Sequence, residues 1–148
     1  MRRKLQREFV FRYRKTAVDP SQPERVYVAA PKPMFRTRRY EDRLIQLKAA
    51  LPNAHLLEAR ELYSNNADWR RGWPHLSREI DALVFFISSD RWIGRGVWHE
   101  VMDARLRSLP IHLLDESGLV PFHTLAFSVF DYTDFQHFVR CRLPYRKA

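Results

Sequence analysis

Asp81-Ala82-Leu83-Val84-Phe85-Phe86-Ile87-Ser88 leads into Ser89-Asp90-Arg91-Trp92-Ile93-Gly94-Arg95-Gly96, behind which Val97, Val101, Ala104 and Leu106 recur at helical spacing. An unbroken apolar run of strand length reads as a buried strand, and the period of about 3.6 residues after it reads as the helix of a βα unit. That helix is expected over 97–109; Pro110 resets the chain, and 111–114 reads as the next strand. Upstream, 25–30 reads as a first strand, and Tyr40, Leu44, Leu47 and Leu51 predict a helix over 37–51, stopped by Pro52-Asn53. A weaker strand is expected at 54–58, a short helix at 75–80 and a fifth strand at 125–130, with 115–118 as a turn. Thr133, with Asp134 beside it, is expected to cap a last helix running through Arg142. The polar and aromatic stretch 60–74 is too long for a simple connection and reads as a lid or binding loop.

With 148 residues, 45% of them apolar and 29% charged, the chain suits one globular domain and excludes disordered and fibrous classes. The longest apolar run, at 82–87, is too short to span a membrane. No apolar signal region follows the basic N-terminus, so a cytoplasmic location is expected. A lone Cys141 and scattered histidines give no disulfide and no metal-ligand spacing. The formal charge is +9, but it is uneven: residues 1–15 carry seven basic side chains against Glu8, and 138–148 carry four with no acid. The division expected is therefore a basic arm and linker over 1–24, containing Pro20 and Pro23, and a single α/β domain over 25–148 with a basic C-terminal end. Such ends suit phosphate-bearing partners, so a nucleic-acid-binding accessory protein is one reading.

Strands alternating with helices imply a three-layer open sheet of about five mainly parallel strands, of flavodoxin-like type, in which ligands bind beyond the carboxyl ends of the strands. Two loops qualify: Ala30-Pro31-Lys32 and the stretch from Asp90 to Gly96. Gly94 and Gly96 allow close backbone approach to a ligand, and Glu100 follows in the first turns of the next helix. Lys32, Arg36, Arg38 and Arg39 after the first strand, and Arg91 and Arg95 beside the glycine loop, offer positive charge to a phosphate, while Trp92 and Trp98, with Trp69 and Trp73, offer flat faces to a nucleobase. Neither a serine-hydrolase elbow nor a P-loop is present.

Val26-Tyr27-Val28-Ala29-Ala30-Pro31, Asp81-Ala82-Leu83-Val84 and Gly96-Val97-Trp98-His99-Glu100, followed by Ala104 and Leu109-Pro110-Ile111, resemble the nucleoside 2-deoxyribosyltransferases and related nucleotide N-glycosidases. The resemblance implies a nucleotide or nucleoside substrate and glycosyl transfer or hydrolysis at its anomeric carbon. Glu100 would attack that carbon or orient water there, and Tyr27 would hold the carboxylate. It implies no metal or redox cofactor, and a homo-oligomer. The acid that such proteins carry ahead of the third strand is missing where this chain reads Gly72-Trp73-Pro74-His75, leaving Asp68 or Glu79 as stand-ins. Asp81 is open to both a substrate contact and a capping role. A nucleotide-sensing domain without turnover is the alternative on the same fold.

Overall fold

The computed structural model describes residues 23–132 and 137–142. The basic arm, the last six residues and the expected Thr133 and Asp134 cap lie outside these, except for the linker residues Pro23 and Glu24. The chain runs β1 (Arg25–Ala29), α1 (Arg38–Ala50), β2 (His55–Glu58), α2 (Ala59–Leu62), α3 (Asn66–Leu76), β3 (Ala82–Phe85) and β4 (Trp92–Ile93). It continues with α4 (Arg95–Leu106), β5 (Ile111–Asp115), β6 (Gly118–Pro121), β7 (Phe127–Tyr132) and β8 (His137–Cys141). No helix of the described residues is long and apolar enough to cross a membrane.

Five strands form a mainly parallel sheet in the order β2-β1-β3-β5-β6, with only β6 antiparallel. Side chains alternate across it, as the strand period of two demands. Val26, Val28, Ala82, Val84 and Phe86 face α1 through Tyr40, Leu44 and Leu47. Tyr27, Ala29, Leu83, Phe85 and Leu113 face the other way, onto Trp73 of α3 and Val97, Val101 and Ala104 of α4. Helices on both faces of a buried parallel sheet make a three-layer α/β architecture.

Four expectations are corrected. Residues 60–74 are not a lid loop but α2 and α3: the Asn65 side chain accepts the Asp68 amide at 2.8 Å, and Asp68 accepts the Ser64 amide and hydroxyl, closing the start of α3. Gly72 and Pro74 read as breakers, yet both lie inside this helix, whose Trp69 and Trp73 share a face. Only His75 and Leu76 of the helix expected over 75–80 are helical, and they end α3. The strand expected at 125–130 is present as β7 but lies in a second sheet, and the fifth strand of the main sheet is β6; an Asp115 side chain accepting the Ser117 amide and hydroxyl, with Gly118 at φ +123, turns the chain straight back. Pro121 ends that strand, which is tolerated because β6 is an edge. Finally, β8 replaces the last expected helix: Val139 and Cys141 are buried while Arg142 is exposed, a period of two. β8 pairs with β7 and with β4, building a second, three-stranded antiparallel sheet on the α4 side.

At the amino end of the main sheet, Asp81 accepts the backbone amides of Glu24 and Arg25 at 3.2 and 2.9 Å. This side chain fixes where β1 starts, at the end of the sheet away from its carboxyl edge. Asp81→Ala is expected to lower stability by about 1–3 kcal/mol, read by urea unfolding, by leaving those amides without their acceptor.

Candidate functional site

β1 connects to β2 on one side while β3 connects to β5 on the other, so the connections diverge beyond the carboxyl ends of β1 and β3 and leave a crevice there. A cavity of about 1020 Å³ occupies it. One wall is the turn after β1, from Ala30 to Phe35; a second is Ser88, Ser89 and Trp92 after β3; a third is the start of α4. Ala59, Tyr63, Asn65, Asn66 and Trp69 of α2, α3 and their junction close the far side. Arg60 braces the first wall: it donates to the Phe35 carbonyl at 2.8 Å and to Glu58 at 3.0 Å, and its guanidinium stacks 4.0 Å above the Tyr40 ring. Lys32 donates to the Asn66 side chain at 3.1 Å and ties the first wall to the far side.

α4 buries a stripe of Val97, Glu100, Val101 and Ala104 against the sheet, so Glu100 occupies a position that helical geometry assigns to the core. Only 4% of it is exposed. Tyr27, pointing from β1 toward α4, donates its phenolic hydrogen to Glu100 Oε2. Trp69 Nε1 donates to the same oxygen at 2.8 Å. Oε1 has no hydrogen-bond partner among the described residues, and Glu100 lines the cavity. The sheet and α3 thus hold one oxygen and leave the other available.

Burial pushes the Glu100 carboxyl up to about 7; the Tyr27 and Trp69 donors oppose that rise, and the Asp103 charge adds to it. Burial, the Glu100 charge and the hydrogen bond to it hold the Tyr27 phenol far above its ordinary value, so Tyr27 remains a donor at any physiological pH. Tyr63 is pushed up to about 12 by burial and then by the Glu100 charge. Its hydroxyl is shielded from solvent and has no partner among the described residues. A second indole bond runs parallel to the first: Trp73 Nε1 donates to Asp103 at 2.8 Å, and Asp103 lies 3.2 Å from His99 Nε2.

Of the residues singled out in the sequence, Ala30, Pro31, Lys32, Trp92, Gly94, Gly96 and Glu100 line the cavity, and Tyr27 lies behind Glu100. The others lie elsewhere. Arg95 is exposed on the first turn of α4; Arg91, at φ +69, donates to the Cys141 carbonyl at 3.0 Å on the β8 side. Trp98 packs on Phe122 and Phe127. Asp68 is engaged by Ser64 and Arg71 at the start of α3, and Asp81 is at the opposite end of the sheet. Neither occupies the cavity wall. Glu79 pairs with Arg25 in the exposed ion pair at that same far end. Arg39, one of the cations expected to meet a phosphate, lines the wall too, whereas Tyr63, Asn65 and Asn66 are wall residues that the sequence did not single out, and Trp69 stood out only as a stacking surface. The signal for Trp69 was its spacing from Trp73, which places both indoles on one helical face.

Among the described residues no group of three or more histidine, cysteine or acidic side chains is placed to hold a metal ion. Among the described residues the wall is mostly apolar, with Glu100 its one acid and Lys32 and Arg39 its cations. Such a wall binds an organic ligand by shape and fixes its orientation through a few polar groups. No protein-family model, curated protein or solved structure matches the chain significantly.

The folded state holds the Glu100 proton more tightly than an unfolded chain does, so its burial weighs against stability only once the side chain ionises. Stability is expected to fall as pH rises from the ordinary carboxylate range through about 7, and to level off above that. Glu100→Gln removes this dependence. Urea unfolding between about pH 5 and about pH 8 is expected to show the variant gaining up to roughly 3 kcal/mol on the wild type. A difference that stays constant with pH would contradict the buried, proton-holding state.

Proposed function

We propose that the cavity binds a nucleotide or nucleoside and that Glu100 cleaves or exchanges its N-glycosidic bond. The observation that carries this reading is the arrangement of the Glu100 carboxylate, with Oε2 held by Tyr27 and Trp69 and Oε1 unpartnered in a cavity at the sheet's carboxyl edge. The order of the four parallel strands supports a flavodoxin-like fold, and the resemblance of Tyr27, Gly96 and Glu100 to the deoxyribosyltransferase pattern supports the substrate class.

In this mechanism the ionised Oε1 attacks the anomeric carbon C1′. The C1′–N bond breaks through an oxocarbenium-like transition state, its electron pair leaves with the base, and the base takes a proton from solvent. A water then attacks C1′ from the opposite side, the C1′–Oε1 bond breaks to restore the carboxylate, and the water's proton passes to solvent. In a transferase an incoming base nitrogen replaces that water. Tyr27 and Trp69 keep Oε2 fixed, so little reorganisation accompanies the attack. The walls are largely apolar, and Lys32 and Arg39 supply positive charge for a phosphate-bearing substrate. The amides at the start of α4, where Gly94 and Gly96 leave open space, suit an oxygen of the ligand.

Incubation with a panel of nucleosides and nucleotides is expected to release free base, detected by chromatography, and to transfer sugar when a second base is added. The rate is expected to rise with pH through about 7 as Glu100 ionises and to plateau above it. Glu100→Gln is expected to slow release about a thousandfold or more. Binding without release, equal in wild type and Glu100→Gln, would instead assign the cavity a nucleotide-sensing role.

A further inference from the structure

When a glycosidic C1′–N bond breaks, its electron pair leaves with the base. A base that was neutral then departs as an anion unless an acid gives it a proton, and an acid placed for that purpose contributes about a hundredfold or more. Among the described residues the cavity wall holds one acid, Glu100, and its Oε1 is the atom assigned to C1′. The other titratable side chains of the wall are Lys32, Arg39 and Tyr63, and none is suited to be that acid. A guanidinium does not give up its proton. Lys32 directs its ammonium to Asn66 Oδ1 at 3.1 Å. The Tyr63 ring is seated against Gly72 of α3, its hydroxyl is shielded from solvent, and burial followed by the Glu100 charge pushes the phenol up to about 12. A departing anion would also be set among largely apolar side chains, where an unpaired charge is costly.

The cavity is large as well, and its recognition groups are doubled. Its volume of about 1020 Å³ stands at the top of the range, about 300–1,000 Å³, in which proteins hold small ligands. Trp69 lines it on the α3 side, where Asn66 holds Lys32. Trp92 lines it on the β3 side, where Arg39 donates to the Ile87 carbonyl at 3.3 Å, next to Ser88. Each side therefore offers an indole and a cation, the pair that a base and a phosphate require.

From the lone wall acid and the doubled indole and cation we infer that the substrate is a pyridinium dinucleotide: a nucleotide whose base carries a positive charge at the glycosidic nitrogen, joined through a diphosphate to a second nucleotide on the Trp92 side. The inference rests on the reading of Glu100 as the group that reaches the anomeric carbon. Oε1 bonds to C1′, the C1′–N bond breaks, and its electron pair cancels the charge on the ring, so the base leaves neutral and takes no proton. A pair of opposite charges disappears in this step and no new one forms, which suits an apolar wall. Water then attacks C1′, the C1′–Oε1 bond breaks to restore the carboxylate, and the water's proton passes to solvent. The two phosphates of the diphosphate match the two cations, Lys32 and Arg39.

The test incubates the full chain with nicotinamide adenine dinucleotide (NAD), with nicotinamide mononucleotide, and with purine and pyrimidine nucleosides and nucleotides, and measures free base by chromatography. NAD is expected to lose nicotinamide with a kcat/KM at least about a hundredfold above base release from any compound with a neutral base. It is expected to exceed nicotinamide mononucleotide by at least about tenfold, because the mononucleotide leaves the Trp92 side and one cation unfilled. Glu100→Gln is expected to release nicotinamide from neither. Release of a neutral base within a hundredfold of nicotinamide release from NAD would overturn the inference and leave the glycosidic reading of Glu100 standing. A separation of less than tenfold between NAD and the mononucleotide would overturn the assignment of a second nucleotide. No release from any compound would overturn the reading of Glu100 itself, and the inference with it.

Discussion

A carboxylate withdrawn from water is the most demanding group in this fold, and the arrangement around Glu100 follows from supplying it with donors. Desolvation of such a group is offset only by hydrogen bonds aimed at the charge. One donor comes from the central strand β1 and the other from α3, so sheet, α3 and α4 must meet at one oxygen. The parallel bond from Trp73 to Asp103 repeats the device one turn along, and the two indoles clamp α3 against α4. Tyr27 also packs on Trp73, with ring centroids 4.7 Å apart, so the donor to the buried acid is itself immobilised. The two donors do not fully compensate burial, since the carboxyl still rises to about 7. A group poised there is responsive to small changes in its surroundings.

The cavity inherits its form from the same constraints. Its floor is the end of the sheet, whose parallel strands leave backbone and short connections at one edge. Its far side exists because α2 and α3 fill the space between β2 and β3 that a loose connection would have left open. Arg60, held by Glu58 and stacked on Tyr40, keeps the turn after β1 in place, and Lys32 spans from that turn to Asn66. The wall is thus fixed by ion pairs and indoles at its perimeter, while its surface toward the ligand stays largely apolar.

Much of the central sheet was legible because each parallel strand is buried on both faces and announces itself as a short apolar run: 82–87 is unbroken, and 26–30 nearly as clear. α1 showed itself by its apolar spacing, while the Thr37 side chain that caps it became evident only in the structure. The juxtaposition of Tyr27 and Glu100 was legible only through a resemblance of short motifs, since no periodicity specifies which strand residue meets which helix residue. What the apolar stripe of α4 did contain was a glutamate at a core position, and that is a signal in its own right. α3 was hidden because Gly72 and Pro74 signal a break, whereas the glycine serves a ring seated against it and tertiary packing outweighs the local preference. The strand β7 was legible at 125–130, though not its sheet, and β8 was hidden by distance along the chain: a helix and a strand of that length differ only in which residues face inward, and the face is set by α4 and β4, far upstream.

The pairing of β4 with β8 has a consequence for how the molecule is made. Trp92 and Ile93 sit in the very segment that delivers Gly94 to the start of α4, and they are bonded to Arg140 and Val139. On the ribosome, β1, β2, β3 and β5 leave the exit tunnel before residues 137–141 do. The glycine segment, however, lacks its neighbouring strand until residues 137–141 emerge. A nascent chain therefore carries the parallel strands of the main sheet before it carries the strand that borders the glycine segment.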